Sequence, residues 1–142
     1  MIYRAFVLVP APDDPGRLTQ RAAEELRHSF ADRGSVVTEP EGAVVLRVDG
    51  WSLSAGLARD PWVRDEINEI VDAAGSNRPD AAVLRTYTAR FEVSSDPADP
   101  DMDHFNDYLI ACQALERIDG AIAVELADGS FMSGKIIVAP GT

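Results

Sequence analysis

The pair Asp49-Gly50 constrains this chain more tightly than any other two residues. It lies between two alternating runs within Ala43–Ala58, AVVLRV and WSLSAGLA. A two-residue turn needs positive φ at both central positions, which Asp and Gly tolerate, so two antiparallel strands should meet here. Val44, Leu46 and Val48 then share one face, and Trp51, Leu53, Ala55 and Leu57 share a face of the next strand. Ser52, Ser54 and Gly56 fall on the opposite face, where their small size predicts a close-packed helix or a pocket. The hairpin also breaks any strict strand–helix alternation, which argues against a doubly wound nucleotide fold. Neither GxGxxG nor GxxxxGK[ST] occurs.

The remaining elements follow from start and stop signals. Ile2–Val9 is apolar on both faces and predicts a central strand. Asp13-Asp14-Pro15 starts a helix: the carboxylate accepts orphan amides and Pro lacks only an amide that would go unpaired. Leu18, Ala22, Leu26 and Phe30 form its apolar stripe. Arg33-Gly34 ends it, with Gly suited to a left-handed cap. His28, one turn before the end, reads as a helix-terminus cation. Val36–Thr38 predicts a short edge strand before a turn at Glu39–Gly42. Asp60-Pro61 starts a second helix that runs to Gly75; Trp62, in its first turn, either caps the core or protrudes, and packing is the favoured reading. Ala82–Ser95 predicts one long strand, and Asp103–Arg117 a third helix with Phe105, Tyr108, Leu109, Cys112, Leu115 and Ile118 at helical spacing. Ala121–Leu126 is a last strand, and Phe131-Met132 a short return. The expectation is a single α+β domain over residues 1–142. Its sheet is mixed, mostly antiparallel, with five to six strands and three helices packed mainly on one face. The chain from Lys135 to Thr142 either extends the Phe131-Met132 return or is part of a loose tail over residues 133–142.

A length of 142 residues suffices for one domain with its own core. The formal net charge is −11 and the pI is near 4.4, which argues against nucleic acid as a partner. No run approaches the roughly 20 apolar residues of a membrane span, and the apolar N-terminus lacks a basic leader region, so no membrane role and a cytoplasmic location are expected. Lys135 is the only lysine beside twelve arginines, a bias that points to a GC-rich bacterial genome. The single cysteine, Cys112, permits no internal disulfide and no cysteine-rich zinc site. On the helical stripe it reads as a small buried hydrophobe.

The chemistry concentrates between Phe91 and Glu116, which carries Glu92, Asp96, Asp99, Asp101, Asp103, Asp107 and Glu116 and no basic residue. Asp99, Asp101 and Asp103 alternate as in an EF-hand loop, but His104 stands where that loop needs Gly and Ile110 where it needs Glu. A looser metal site would use Asp101, Asp103, His104 and Asp107. The competing role is local: acidic residues at a helix start are favoured by the macrodipole by about 0.3–1 kcal/mol each. His104 beside carboxylates suits acid–base chemistry, but no nucleophile motif accompanies it, so no catalytic residue is assigned.

The phrase Asp99–Tyr108, DPDMDHFNDY, resembles a segment of uncharacterised bacterial proteins of similar size; the resemblance implies a shared fold and no activity. A fainter likeness, in element order only, is to other small bacterial α+β domains of unknown function, some of them immunity-like. The sequence therefore favours a non-enzymatic, cofactor-free domain that binds a basic protein, in an immunity-like or accessory role. Its surface would comprise Asp99, Asp101, Asp103, His104, Asn106 and Asp107, with Trp51. The alternative is a metal- or small-ligand-binding domain using the same cluster, and a third reading is a homodimer through a sheet edge or an exposed Trp.

Overall fold

The computed structural model describes residues 1–138. Six strands, all antiparallel, form one open sheet in the order β2-β3-β4-β5-β1-β6. They are β1 (Arg4–Val9), β2 (Ser35–Thr38), β3 (Val44–Val48), β4 (Trp51–Ala58), β5 (Ala89–Asp96) and β6 (Ile122–Glu125). Helix α1 (Pro15–Ser29) follows β1, α2 (Pro61–Ile70) follows β4, α3 (Ala81–Leu84) precedes β5, and α4 (Phe105–Glu116) joins β5 to β6. The class is α+β, as the hairpin requires. Asp49 and Gly50 have φ of 48° and 80°, the left-handed pair that the turn demands.

Strand β1 organises the layers. It lies between β5 and β6, and helices cover both of its faces. Ala5, Val7 and Val9 point into a core shared with Leu26 and Phe30 at the end of α1, with Tyr108 and Leu115 of α4, and with Leu46, Leu53 and Phe91 of the sheet. Leu8 points the other way, into a smaller core with Val63 and Ile67 of α2, Leu84, Ile122 and Val124. Two of the longer helices thus share one face and the third lies on the opposite one. Full burial of each large aliphatic or aromatic side chain in these layers contributes about 1.5–3 kcal/mol.

Several expectations need correction. The strand expected over Ala82–Ser95 begins only at Ala89. Upstream, α3 makes one helical turn, and Tyr87 packs in the smaller core, away from the Ala89–Phe91–Val93 face. Buried Asp80 holds that turn in place: its carboxylate accepts Arg78 Nε at 2.9 Å and the Ile137 amide at 2.8 Å. The same contact docks the chain after β6, so residues 133–138 are not a loose tail; Ile137 is buried and the Lys135 carbonyl accepts Arg78 Nη2. The rest of the expected tail, residues 139–142, lies outside the described residues.

Trp62 is 57% exposed rather than packed. Asp60 makes no side-chain cap, whereas Asp14 accepts the Arg17 amide at 3.1 Å. The second helix changes to a π-helical turn at Val71–Gly75 before it stops. Gly34 is not left-handed. It is needed for space, because a Cβ there would stand 3.2 Å from the Arg47 carbonyl oxygen and from Phe30 Cβ. Ser52, Ser54 and Gly56 remain half exposed; α2 packs across the β5-β1-β6 half of that face instead.

Gly120, by contrast, has φ +77°, and a Cβ would come within 2.6 Å of Pro10 Cγ. Gly120→Ala should therefore destabilise the fold by about 1–3 kcal/mol from backbone strain alone, with the Pro10 overlap adding to it. Urea unfolding followed by circular dichroism measures this as a lower midpoint at unchanged slope.

Candidate functional site

The acidic stretch leaves the sheet at the end of β5, where Ser52 Oγ donates to the Asp96 carbonyl at 3.0 Å and the Asp96–Pro97 peptide is cis. The chain then folds around one carboxylate. Asp99 is 5% exposed, and it accepts the Tyr3 hydroxyl at 2.7 Å, the His104 amide at 2.8 Å and the Asp103 amide at 3.1 Å. Its own amide donates to the Met1 carbonyl at 2.8 Å. Burial, the largest single influence, pushes the Asp99 carboxyl upward, but the hydrogen bonds from Tyr3, His104 and Asp103 together outweigh it and hold the group below the ordinary range. Burial and the adjacent Asp99 push the Tyr3 hydroxyl up to about 12.

Beneath the turn lies an aromatic layer. Tyr3 stacks on Tyr108 at 4.9 Å between ring centroids and meets Trp51 edge-on at 6.5 Å. His104 lies flat on Trp51 at 4.9 Å with 4° between the planes. Its Nδ1 is 3.0 Å from Asp107 Oδ2, and the other oxygen of Asp107 meets Arg33 from the turn between α1 and β2. The Tyr108 hydroxyl donates to Glu125.

The structure therefore divides the residues singled out in sequence. Asp99 and Asp107 are buried and serve the fold. Trp51 is 2% exposed beneath His104 and belongs to the larger core, with only an edge on a small cleft beside Ser52, Asp96 and Pro97. Glu92 pairs with Arg90, and Glu116 turns inward to accept the Ala123 amide. Asp96, Asp101, Asp103 and Asn106 face solvent. Asp96, Asp101 and Asp103 form no ion pair among the described residues. No group of three or more His, Cys, Asp or Glu is placed to hold a metal ion among the described residues. His104 and Asp107 are turned inward to Trp51 and Arg33, while Asp101 and Asp103 point away.

Sequence reasoning missed Tyr3, Arg33 and Met102. Tyr3 and Arg33 reach the turn across 96 and 74 residues of chain, so no local pattern marks them. Met102 is marked by conformation: it is 45% exposed and left-handed, with φ +57°. The larger clefts lie at the other end of the sheet. One of about 740 Å³ runs between the start of α1 and the Thr38–Ala43 turn, lined by Arg27, Glu39, Glu41 and Arg59. The exposed carboxylates of the Asp96–Asn106 turn line neither that cleft nor the neighbouring one of about 570 Å³.

No protein-family model matches the chain, and neither a curated protein nor a solved structure matches it. The resemblance expected for the Asp99–Tyr108 segment therefore assigns no family.

Two outcomes test this geometry. The Asp99 carboxyl titrates lower when folded than when unfolded, so its contribution is complete above about pH 4, the ordinary Asp value, and is lost as pH falls through the lower folded value. Asp99→Asn should lower the urea midpoint at pH 7 and flatten the acid limb of the stability–pH curve. Burial pushes the Cys112 thiol up to about 12, so a thiol-specific chromogenic reagent should leave Cys112 unmodified until denaturant unfolds the chain.

Proposed function

We propose that this protein is a non-enzymatic binding protein that engages a basic protein partner through the turn from Asp96 to Asn106. The observation that carries this reading is Met102. A left-handed backbone favours Gly or Asn, and a bulky side chain there costs free energy. Here a long apolar side chain is held outward in that conformation, between the exposed carboxylates of Asp101 and Asp103. Methionine adapts its shape to a partner's surface and is enriched in interface cores.

The turn is also stiff. Asp99 ties it to Tyr3, just before β1, and to Asp103 and His104, just before α4, so binding would order little new chain, and the entropy lost on association is smaller than for a loose loop. The unpaired carboxylates and the charge of −11 steer a cationic partner and raise its rate of encounter. An inhibitory, immunity-like role toward a basic enzyme fits this combination, as does an accessory role.

The test uses a panel of folded basic proteins and arginine- and lysine-rich peptides, read by fluorescence anisotropy at several salt concentrations. A binder should appear whose affinity falls as salt rises. Met102→Gly should relieve backbone strain and keep or raise stability, yet weaken binding about tenfold, equivalent to 1.4 kcal/mol. Asp101→Asn and Asp103→Asn should each reduce the salt dependence. If no basic protein or peptide binds, or if Met102→Gly binds as tightly as wild type, the turn is not the binding surface. A thermal shift with one divalent ion, abolished by Asp103→Asn, would replace this reading with a metal site.

A further inference from the structure

The two edges of the sheet are finished differently. Beyond β6 the chain returns along the strand: Met132 donates to the Ala123 carbonyl at 3.0 Å, Glu125 donates to the Ser130 carbonyl at 2.8 Å, and Phe131 bridges Val124. Beyond β2 no strand follows among the described residues. Ser35, Val37 and Thr38 are exposed there, and Val37 is 42% exposed.

Two hydrogen bonds fix which backbone groups this edge presents. The Glu39 amide points inward to the Ala43 carbonyl at 2.8 Å, whereas the Val36 carbonyl points outward to Arg27 Nη2 at 3.4 Å. In an antiparallel strand the inward and outward residues alternate. Val36 and Thr38 therefore direct both their amides and their carbonyls away from β3. Among the described residues the side chain that hydrogen-bonds this outward backbone is Arg27 of α1, and its contact is long and exposed.

We propose that β2 pairs with β2 of a second copy of this chain, antiparallel across a two-fold axis with Val36 facing Val36. Outward groups must meet outward groups, so the register can shift only by an even number of residues. With Val36 on the axis, the two Val36 residues exchange both backbone bonds, and each Thr38 amide reaches the Gly34 carbonyl of the other copy. The Gly34 amide remains with the Phe30 carbonyl, as in the single chain. Val37 then lies beside Ser35 of the second copy, which covers an exposed apolar side chain.

Charge favours the same register. It sets Arg33 of each copy opposite Glu39 of the other. Glu39 lies against Glu41, whose hydrogen bond and charge hold the Glu39 carboxyl above its ordinary range. A guanidinium opposite relieves that repulsion. Arg33 already meets Asp107 through one nitrogen, but its guanidinium has further donors and its side chain is 45% exposed. The charge of −11 on each copy opposes association at long range, and physiological salt screens it beyond about 8 Å. So short an edge gives a weak dimer, on a surface separate from the Asp96–Asn106 turn.

Cysteine cross-linking at physiological salt tests both the pairing and its register. Facing residues of an exchanged backbone pair have Cα atoms about 5.5 Å apart, within disulfide reach. Val36→Cys should form a cross-linked dimer under mild oxidation. Thr38→Cys should not, because its counterpart lies four residues farther along, about 13 Å away. Wild type should show a sedimentation coefficient that rises with concentration, and Val37→Lys, at an exposed position that leaves the fold intact, should abolish that dependence. No cross-linking by Val36→Cys, equal cross-linking by both cysteine variants, or a wild-type coefficient that stays at the monomer value at every concentration would each overturn the proposal.

Discussion

The structure depends on β1 being apolar on both faces. A strand of this kind is stable only where helices cover both sides, and here α1 and α4 supply one cover and α2 the other. Its partners β5 and β6 come from the second half of the chain, so the fold closes only when residues more than eighty positions apart have met. The hairpin β3–β4 extends the sheet on one side, where one face alone is covered. That asymmetry explains why Ser52, Ser54 and Gly56 can be small and half exposed without a helix over them. It also leaves β2 at an edge with no layer beyond it.

A second constraint is the Asp99 carboxylate. Burying a charge is costly unless hydrogen bonds replace its water, and Asp99 receives three of them. Those bonds come from Tyr3, just before β1, and from Asp103 and His104, just before α4, so one side chain locks the turn to the approaches of two elements at once. For the proposed binding role the consequence is mechanical. With Asp99 and Asp107 turned inward, the outward residues of the turn are held by the fold and do not have to be ordered by a partner. Asp101, Met102 and Asp103 then form a rigid display of charge flanking one apolar side chain. The Trp51–His104 stack beneath it supplies a floor.

Much of the fold was legible in sequence because it rests on local chemistry. Asp49-Gly50 specifies its turn from two residues, Asp14-Pro15 its helix start from two more, and α1 its stripe from a four-residue repeat. The long strand expected over Ala82–Ser95 failed because alternation in Thr86–Val93 continued a pattern past its real limit. What ends the strand at Ala89 is Asp80, whose partners include an amide 57 residues away. The loose tail failed for the same reason, since Ile137 is docked by that one carboxylate. Trp62 was expected inside because tryptophan is mostly apolar, yet the second core is already filled by Val63, Ile67 and Leu84.

The candidate site shows the same division. Its acidic character and its position at a helix start were fixed by composition and spacing, which are one-dimensional properties. Which carboxylates face inward was decided only by tertiary structure, because Tyr3 and Arg33 arrive from distant parts of the chain. Sequence determined that this is an acidic, hairpin-built α+β protein with its charge concentrated before α4. Tertiary structure decided that Asp99, Asp107 and Trp51 belong to the fold and that Met102 stands outside it. The reason is physical: turns and helix stripes are set by neighbours in sequence, whereas burial is set by whatever else the folded chain brings to the same place.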